Sequence, residues 1–343
     1  MPIASDASHA LTLPTPIQMP RKEKNSRPQT SPIAADSGAP SHRAWHDLHF
    51  DPRKADPQFP NVPAQWLLRA FAITLAGIAA CVWLLLCFLF WQGSWQLLYH
   101  PSRSVFATPA TIHLPFQTIS FDASETGVTQ LTGWWIPSNS AIPHTAMLLL
   151  HGADGDLSDT LPLDAWLHAQ HQNIFVIDYR GYGQSAAGRP SEQQSLHDAS
   201  RAIAWLSDTR QIPLTGIVLW GTGTGATLAA EAASGSTRIG GVVLDHPIAH
   251  PLNIILRDPR SRLVPAWLLL RDHYDLAAAT SHLSAPSLWL LPPSDEYPPA
   301  RMRRGAPSTT IHLRDPFLSD PKAGPALQRW LDTLPAFAAP APR

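Results

Sequence analysis

Five residues, Gly221-Thr222-Gly223-Thr224-Gly225, carry the pattern with the most chemical content in this chain. They follow the apolar run Ile217 to Trp220, which reads as a buried strand, and precede the alanine-rich run Ala226 to Ala233, which reads as a helix. Strand, sharp turn and helix, with glycine on either side of one central residue, is the backbone device that lifts a nucleophile clear of a sheet. The flanking glycines let strand and helix pass closely, and the chemistry served is acyl transfer. The central position here is Gly223, so the turn is expected to keep its geometry without the nucleophile. Such a turn holds its central residue at positive φ, which costs a residue with a Cβ about 1–3 kcal/mol and a glycine little. The neighbours are poor substitutes, because choosing Thr222 or Thr224 as nucleophile puts Trp220 or Thr222 where a glycine is required.

Other groups with chemical potential are scattered. His246 follows the apolar run Val242 to Asp245 and is placed to face the same crevice as the turn. His312 falls inside the apolar run Thr309 to Leu313 and reads as a strand histidine. Asp154 and Asp156 read as loop or helix-capping carboxylates, and His42, His46 and His49 as a solvated cluster, so no metal site is expected. The only two cysteines, Cys81 and Cys87, lie in one apolar stretch, which leaves the rest of the chain without a thiol nucleophile or a disulfide. Gly221-x-Gly223-x-x-Ala226 followed by Asp245 also satisfies the dinucleotide-binding pattern. It is kept as a remote alternative, since no second such pattern accompanies it; no cofactor is expected. A net charge of −1 supplies no field to recruit nucleic acid.

The strongest physical signal is Ala70 to Trp91, a run without charge and about as long as the ~20 residues that cross a bilayer. It predicts a transmembrane helix over 65–95, with the lipid bilayer as a partner through residues 70–91. Arg53, Lys54 and Arg69 precede it and Arg103 follows, so the positive-inside rule puts the N-terminus in the cytoplasm and the rest outside, in the periplasm of a Gram-negative host. The expected location is the inner membrane, single-pass. Residues 1–64, rich in proline and poor in large apolar residues, predict a disordered tail.

Beyond the span, Thr118 to Phe121 and Leu131 to Pro137 read as paired strands. Ala146 to Leu150, Ile174 to Ile177, Ile217 to Trp220, Val242 to Leu244, Leu288 to Leu291 and Thr309 to Leu313 read as buried strands alternating with helices. That alternation predicts an α/β fold, a mostly parallel sheet covered on both faces. A helix after Gly155 takes Ser158, Asp159 or Thr160 as its cap, and Leu327, Trp330, Leu331 and Leu334 define a closing helix. The proline-punctuated stretch 248–284 predicts a small helical lid over the site, and a lid implies a pocket. Arg301, Arg303 and Arg304 read as a solvated loop.

From about Leu97 to Leu334 the chain resembles the single-span, membrane-anchored branch of the α/β-hydrolase superfamily. The marks are LLYHPSR, GWWIP, LLLHGADGDLSD, VIDYRGYGQSAAGRPSE, the glycine turn, VVLDHP, LLLRDHYDLAAATSHLSAP and PPSDE, in that order. The resemblance implies an α/β-hydrolase-fold domain over 96–340. It implies an oxyanion hole from the backbone N–H groups of Ala153, within His151-Gly152-Ala153, and of Thr224. It assigns the triad acid to Asp295 and the nucleophile position to Gly223, and it expects a histidine in the loop after the last strand, where Leu313 to Ser319 has none. The connection from Asp295 to Thr309 is also short. The expected function is therefore non-catalytic: a lidded pocket bounded by His151, Gly152, Gly221, Thr222, Gly225 and His246, binding a small ligand or a protein partner at the membrane. The alternative is an esterase or peptidase that works with unusual residues.

Overall fold

A computed structural model of the chain describes residues 62–138, 144–236, 238–248, 251–293, 307–314 and 317–338. The chain divides into a unit ending at Ala64 and a second unit, Gln65–Arg343. The tail, the histidine cluster at 42–49, Asp295 and the arginines at 301–304 lie outside the described residues.

The apolar stretch forms one helix, α1 (Ala64–Gly93), continued by a 3-10 turn (Ser94–Leu97). Most of its leucines and phenylalanines are turned outward, with Leu68 and Phe71 each 68% exposed, while Phe90 near its end packs against the domain core. By length and composition it is able to cross a membrane.

The rest is built on eight strands: β1 (Gln117–Ala123), β2 (Thr129–Ile136), β3 (Ala146–Leu150), β4 (Ile174–Asp178), β5 (Ile217–Thr222), β6 (Gly241–Asp245), β7 (Ser287–Leu291) and β8 (Ser308–His312). They lie in the order β8-β7-β6-β5-β3-β4-β2-β1. β2 pairs antiparallel with β1 and β4, and every other pairing is parallel. Continuous apolar runs such as Leu148-Leu149-Leu150 make sense in a sheet buried on both faces, since alternate side chains enter different layers. Leu148, Leu150, Phe175, Leu219 and Leu244 pack with α3 (Glu192–Asp208) and α4 (Thr224–Ser234). Met147, Leu149, Val176, Trp220 and Val243 pack instead with α2 (Leu161–Ala169) and, through Leu327, Trp330, Leu331 and Leu334, with the closing helix region.

Register converges three loops. Leu150 pairs with Gly221, and Thr222 pairs with Asp245, so the chain leaves β3, β5 and β6 at one level. The segments His151 onward, Gly223 onward and His246 onward therefore start side by side.

The expected helix cap is one element earlier than the sequence suggests. Asp156 accepts from Ser158 N at 2.8 Å while Asp159 reaches back to Asp156 N at 3.2 Å, a reciprocal capping box around the 3-10 turn Leu157–Thr160. Thr160 makes no cap bond to α2. The stretch after β6 is helical as expected: α5 (Pro251–Ile255), a 3-10 turn (Pro259–Leu263), α6 (Ala266–Leu269) and α7 (Leu276–Ser281). It packs on the α4 face through Ile255, Leu276, Ala279 and Leu283.

Candidate functional site

The turn after β5 is an elbow in every backbone respect. Gly223 sits at φ 62° and ψ −119°, between the strand and the first residue of α4. A Cβ on Gly221 would lie 2.1 Å from Gly225 O, and one on Gly225 would lie 2.1 Å from Leu150 O, so both flanking glycines are dictated by backbone contact. The central one is different. A Cβ on Gly223 would meet only Ile248 Cδ1 at 3.7 Å and Gly152 Cα at 4.0 Å, ordinary contact distances. Only the positive φ disfavours a side chain there, and the space where a nucleophile would stand is open.

The loop after β3, where the resemblance expects an oxyanion donor, is fastened by two tyrosines and by the chain that leaves α1. Tyr182 Oη donates to Ala153 O at 2.8 Å, and Tyr179 Oη donates to His151 O at 3.3 Å. The chain that leaves α1 adds a parallel two-residue bridge, with His100 N donating to Ala153 O at 3.0 Å and Ser102 N to Gly155 O at 2.8 Å. His100 Nδ1 meets Asp154 Oδ1 at 2.7 Å, which accounts for the Asp154 side chain. Thr224 is 2% exposed and opens α4, where the N–H groups of the first turn have no acceptor within the helix. Ala153 and Thr224 thus belong to the two segments that meet at the elbow.

His151 is buried between Tyr179 and Tyr182, with ring centroids 4.5 and 4.9 Å away. Burial pushes its pKa down to about 4, so the ring is neutral at neutral pH. Its Nδ1 donates to Gly152 O at 2.8 Å, which leaves Nε2 as an acceptor.

Sequence reasoning missed one arrangement. Thr222 Oγ1 donates to Asp245 Oδ2 at 3.3 Å, and His246 Nδ1 contacts Asp245 Oδ1 at 2.6 Å. Asp245 is 5% exposed, and His246 is held at φ 45°, a conformation non-glycine residues rarely adopt. The carboxylate stands between hydroxyl and imidazole. Thr222 therefore braces Asp245 and donates to a carboxylate rather than to an imidazole, unlike the hydroxyl–histidine pair of acyl transfer. The signal was present only in the Thr222 and Asp245 register, which no single-strand pattern reveals.

These groups line one cavity of about 440 Å³, walled by Leu149, His151, Gly152, Trp220, Thr222, Asp245, His246 and Leu318 together with Asp159, Thr160 and Leu163 from the α2 side. Leu318 comes from the loop after β8, where the resemblance expects a histidine, so that loop does reach the site with an apolar residue. Of the stretch 248–284 expected as a lid, Ile248 stands 3.7 Å from where a Cβ on Gly223 would be, whereas no residue of 251–284 lines the cavity, and those helices pack with α4. His312 is exposed on the edge strand and bonds Pro292 O at 3.2 Å, away from the cavity. Among the described residues no group of three His, Cys, Asp or Glu side chains forms a metal site.

With this geometry in view, the comparisons are specific about class. The family model described as the alpha/beta hydrolase fold matches residues 145–285. A Pyrococcus furiosus esterase structure superposes with a TM-score of 0.54 at 16% identity, covering 69% of this chain and 98% of that one. Residues 145–285 thus match the α/β-hydrolase fold, and the sheet domain has that fold. Among curated relatives, an uncharacterized protein of Mycobacterium tuberculosis is 29% identical over 246 residues, 69% of this chain and 82% of the relative. Bem46 of Schizosaccharomyces pombe is 29% identical over 147 residues, 42% of this chain and 48% of the relative.

Proposed function

We propose that this chain is a membrane-anchored α/β-hydrolase-like protein that binds a ligand or a protein partner in the elbow cavity and forms no acyl-enzyme. The observation that carries this reading is Gly223 at φ 62°, in the nucleophile position with no side chain. Covalent acyl transfer needs an oxygen or sulfur there and a base to deprotonate it. What remains is a pocket of about 440 Å³ with an apolar wall of Leu149, Trp220 and Leu318 and a polar end of Thr222, Asp245 and His246. A small molecule with an apolar body and a polar head matches that lining. Anchoring is by α1, with its N-terminus in the cytoplasm and the sheet domain in the periplasm, as the flanking charges indicate.

A second reading has one observation in its favour. Asp245 orients His246 at the cavity, as a carboxylate orients a general base, so an esterase that activates water directly is the competing function. The dinucleotide reading is weaker, since both Asp245 oxygens are already engaged by Thr222 and His246.

The test is exposure of the full chain, purified in detergent, to a fluorophosphonate, followed by intact mass. No adduct is expected. An adduct mapped to the elbow or its neighbours overturns the non-covalent reading.

A further inference from the structure

The segment between β6 and β7 has a face that neither the core nor the cavity uses. Ile255, Ser261 and Ala266 are buried and fix it to the domain. Leu256, Leu263, Trp267 and Leu268 point the other way, 40, 61, 69 and 65% exposed. Arg257, Arg260 and Arg262 are interleaved with them and also exposed. Arg260 forms a bidentate pair with Asp258, at 2.6–3.1 Å.

This face adjoins α1. Trp83 Nε1 donates to Leu263 O at 3.2 Å, and the Arg271 guanidinium stands 3.8 Å from the ring centroid of Trp91. Between the two elements runs a groove of about 420 Å³, lined by Leu86, Leu89, Phe90 and Leu97 on one side and by Arg260, Leu263 and Val264 on the other. Trp83 precedes the end of α1 at Gly93 by ten residues. At ~1.5 Å per residue that is roughly 15 Å along the axis, about half the ~30 Å hydrocarbon thickness.

We propose that Leu256–Leu270 is a second membrane-embedded element, seated in the leaflet that surrounds the C-terminal half of α1, with phospholipid as its partner. The proposal rests on α1 being a membrane span. Granted that, a segment bonded to Trp83 stands at lipid depth. Irregular backbone is tolerated there only where its polar groups find partners, and the Leu263 carbonyl has the Trp83 indole. Large apolar residues alternate there with arginines whose aliphatic stems lie along acyl chains while the guanidinium groups reach toward polar partners, Arg260 to Asp258 among them. The groove is open to the same leaflet and suits an acyl chain. The helices taken from sequence as a lid would then serve to hold the domain down on the membrane, with the cavity on the other face of the sheet left open to water.

The test uses the full chain with Cys81→Ser and Cys87→Ser, so that only an introduced thiol carries an environment-sensitive fluorophore. Three versions, Ile78→Cys in α1, Leu268→Cys in the segment and Gln328→Cys on the exposed face of the closing helix (Ala323–Leu331), are reconstituted in phosphatidylcholine and phosphatidylglycerol vesicles. A lipid-borne quencher should cut emission roughly twofold at 78 and 268 and leave 328 alone, while iodide does the reverse. Quenching by lipid at 78 with iodide access at 268 overturns the proposal and keeps the span. Iodide access at 78 overturns the span and the proposal together. Protection of 268 from both quenchers means that protein, a second copy or another partner, covers the face, and likewise overturns it.

Discussion

Substituting alanine one at a time along the elbow separates backbone necessity from a merely vacant position. At Gly221 and Gly225 the new Cβ would lie 2.1 Å from a carbonyl oxygen, Gly225 O in one case and Leu150 O in the other. Ordinary contact begins near 3.4 Å, so strand and helix must separate by more than an ångström, in a region where β3, β5 and α4 are all buried. Overpacking of this kind costs about 3 kcal/mol or more when the obstruction is backbone. At Gly223 the nearest atoms are 3.7 and 4.0 Å away, and the penalty is the positive φ alone, about 1 kcal/mol. For a unit of this size that is a fall of about 2–4 °C in unfolding midpoint. Near-UV circular dichroism melts of the three variants in detergent should rank Gly223→Ala closest to wild type and both flanking variants far below it or unfolded. Equal losses at all three positions would refute the argument that the nucleophile site is open space and would mean that Gly223 is packed shut.

Restoring the nucleophile alone, as Gly223→Ser, should give no appreciable ester hydrolysis, because the loop after β8, Leu313 to Ser319, carries no histidine to take its proton. Adding Leu318→His places an imidazole on the cavity wall and should recover at most a trace, since about 1 Å of misplacement can cost ~100-fold; both are read with p-nitrophenyl acetate. Asp164 gives a pH prediction. Burial raises its pKa from 3.8 to about 8, with Thr160 Oγ1 on one oxygen and no hydrogen-bond partner for the other among the described residues. Below pH 4 it is protonated folded and unfolded alike; above that the unfolded chain ionises first, so the group withdraws stability progressively up to about pH 8. Asp164→Asn, which never ionises, should gain in midpoint relative to wild type from pH 5 to pH 8, and a constant difference across that range would contradict the burial argument. A periplasm-dependent reporter fused after Arg343 should be active in a Gram-negative host, while activity of a cytoplasm-dependent reporter at the same point would reverse the topology.

The elbow was legible in the sequence because its cause is local. Glycines at 221 and 225 are demanded by backbone oxygens 2.1 Å from where a Cβ would be, and that demand persists whether or not position 223 reacts. The sheet was legible for a similar reason, since unbroken apolar runs such as Ile174 to Ile177 suit only strands covered on both faces. What escaped depends on distant pairings. The Thr222, Asp245 and His246 chain exists only through the register of β5 with β6. The strap His100 to Ser102, which ties the end of α1 to the loop after β3, looked like a family signature without a task. The segment 251–284 showed its helices through proline spacing and apolar turns, but which face of the sheet it covers is set by α4 and by Trp83, 180 residues away from its partner Leu263.

The central claim is that the cavity at the elbow binds without making or breaking an acyl bond. It is tested most directly by steady-state and burst-phase release of p-nitrophenol from short esters by the purified full chain, with Asp245→Ala and His246→Ala alongside. The account predicts no burst and a rate equal to buffer, unchanged in both variants. A rate above buffer that disappears in His246→Ala would contradict it, and would assign to the Asp245 and His246 pair the activation of water at the place Gly223 leaves open.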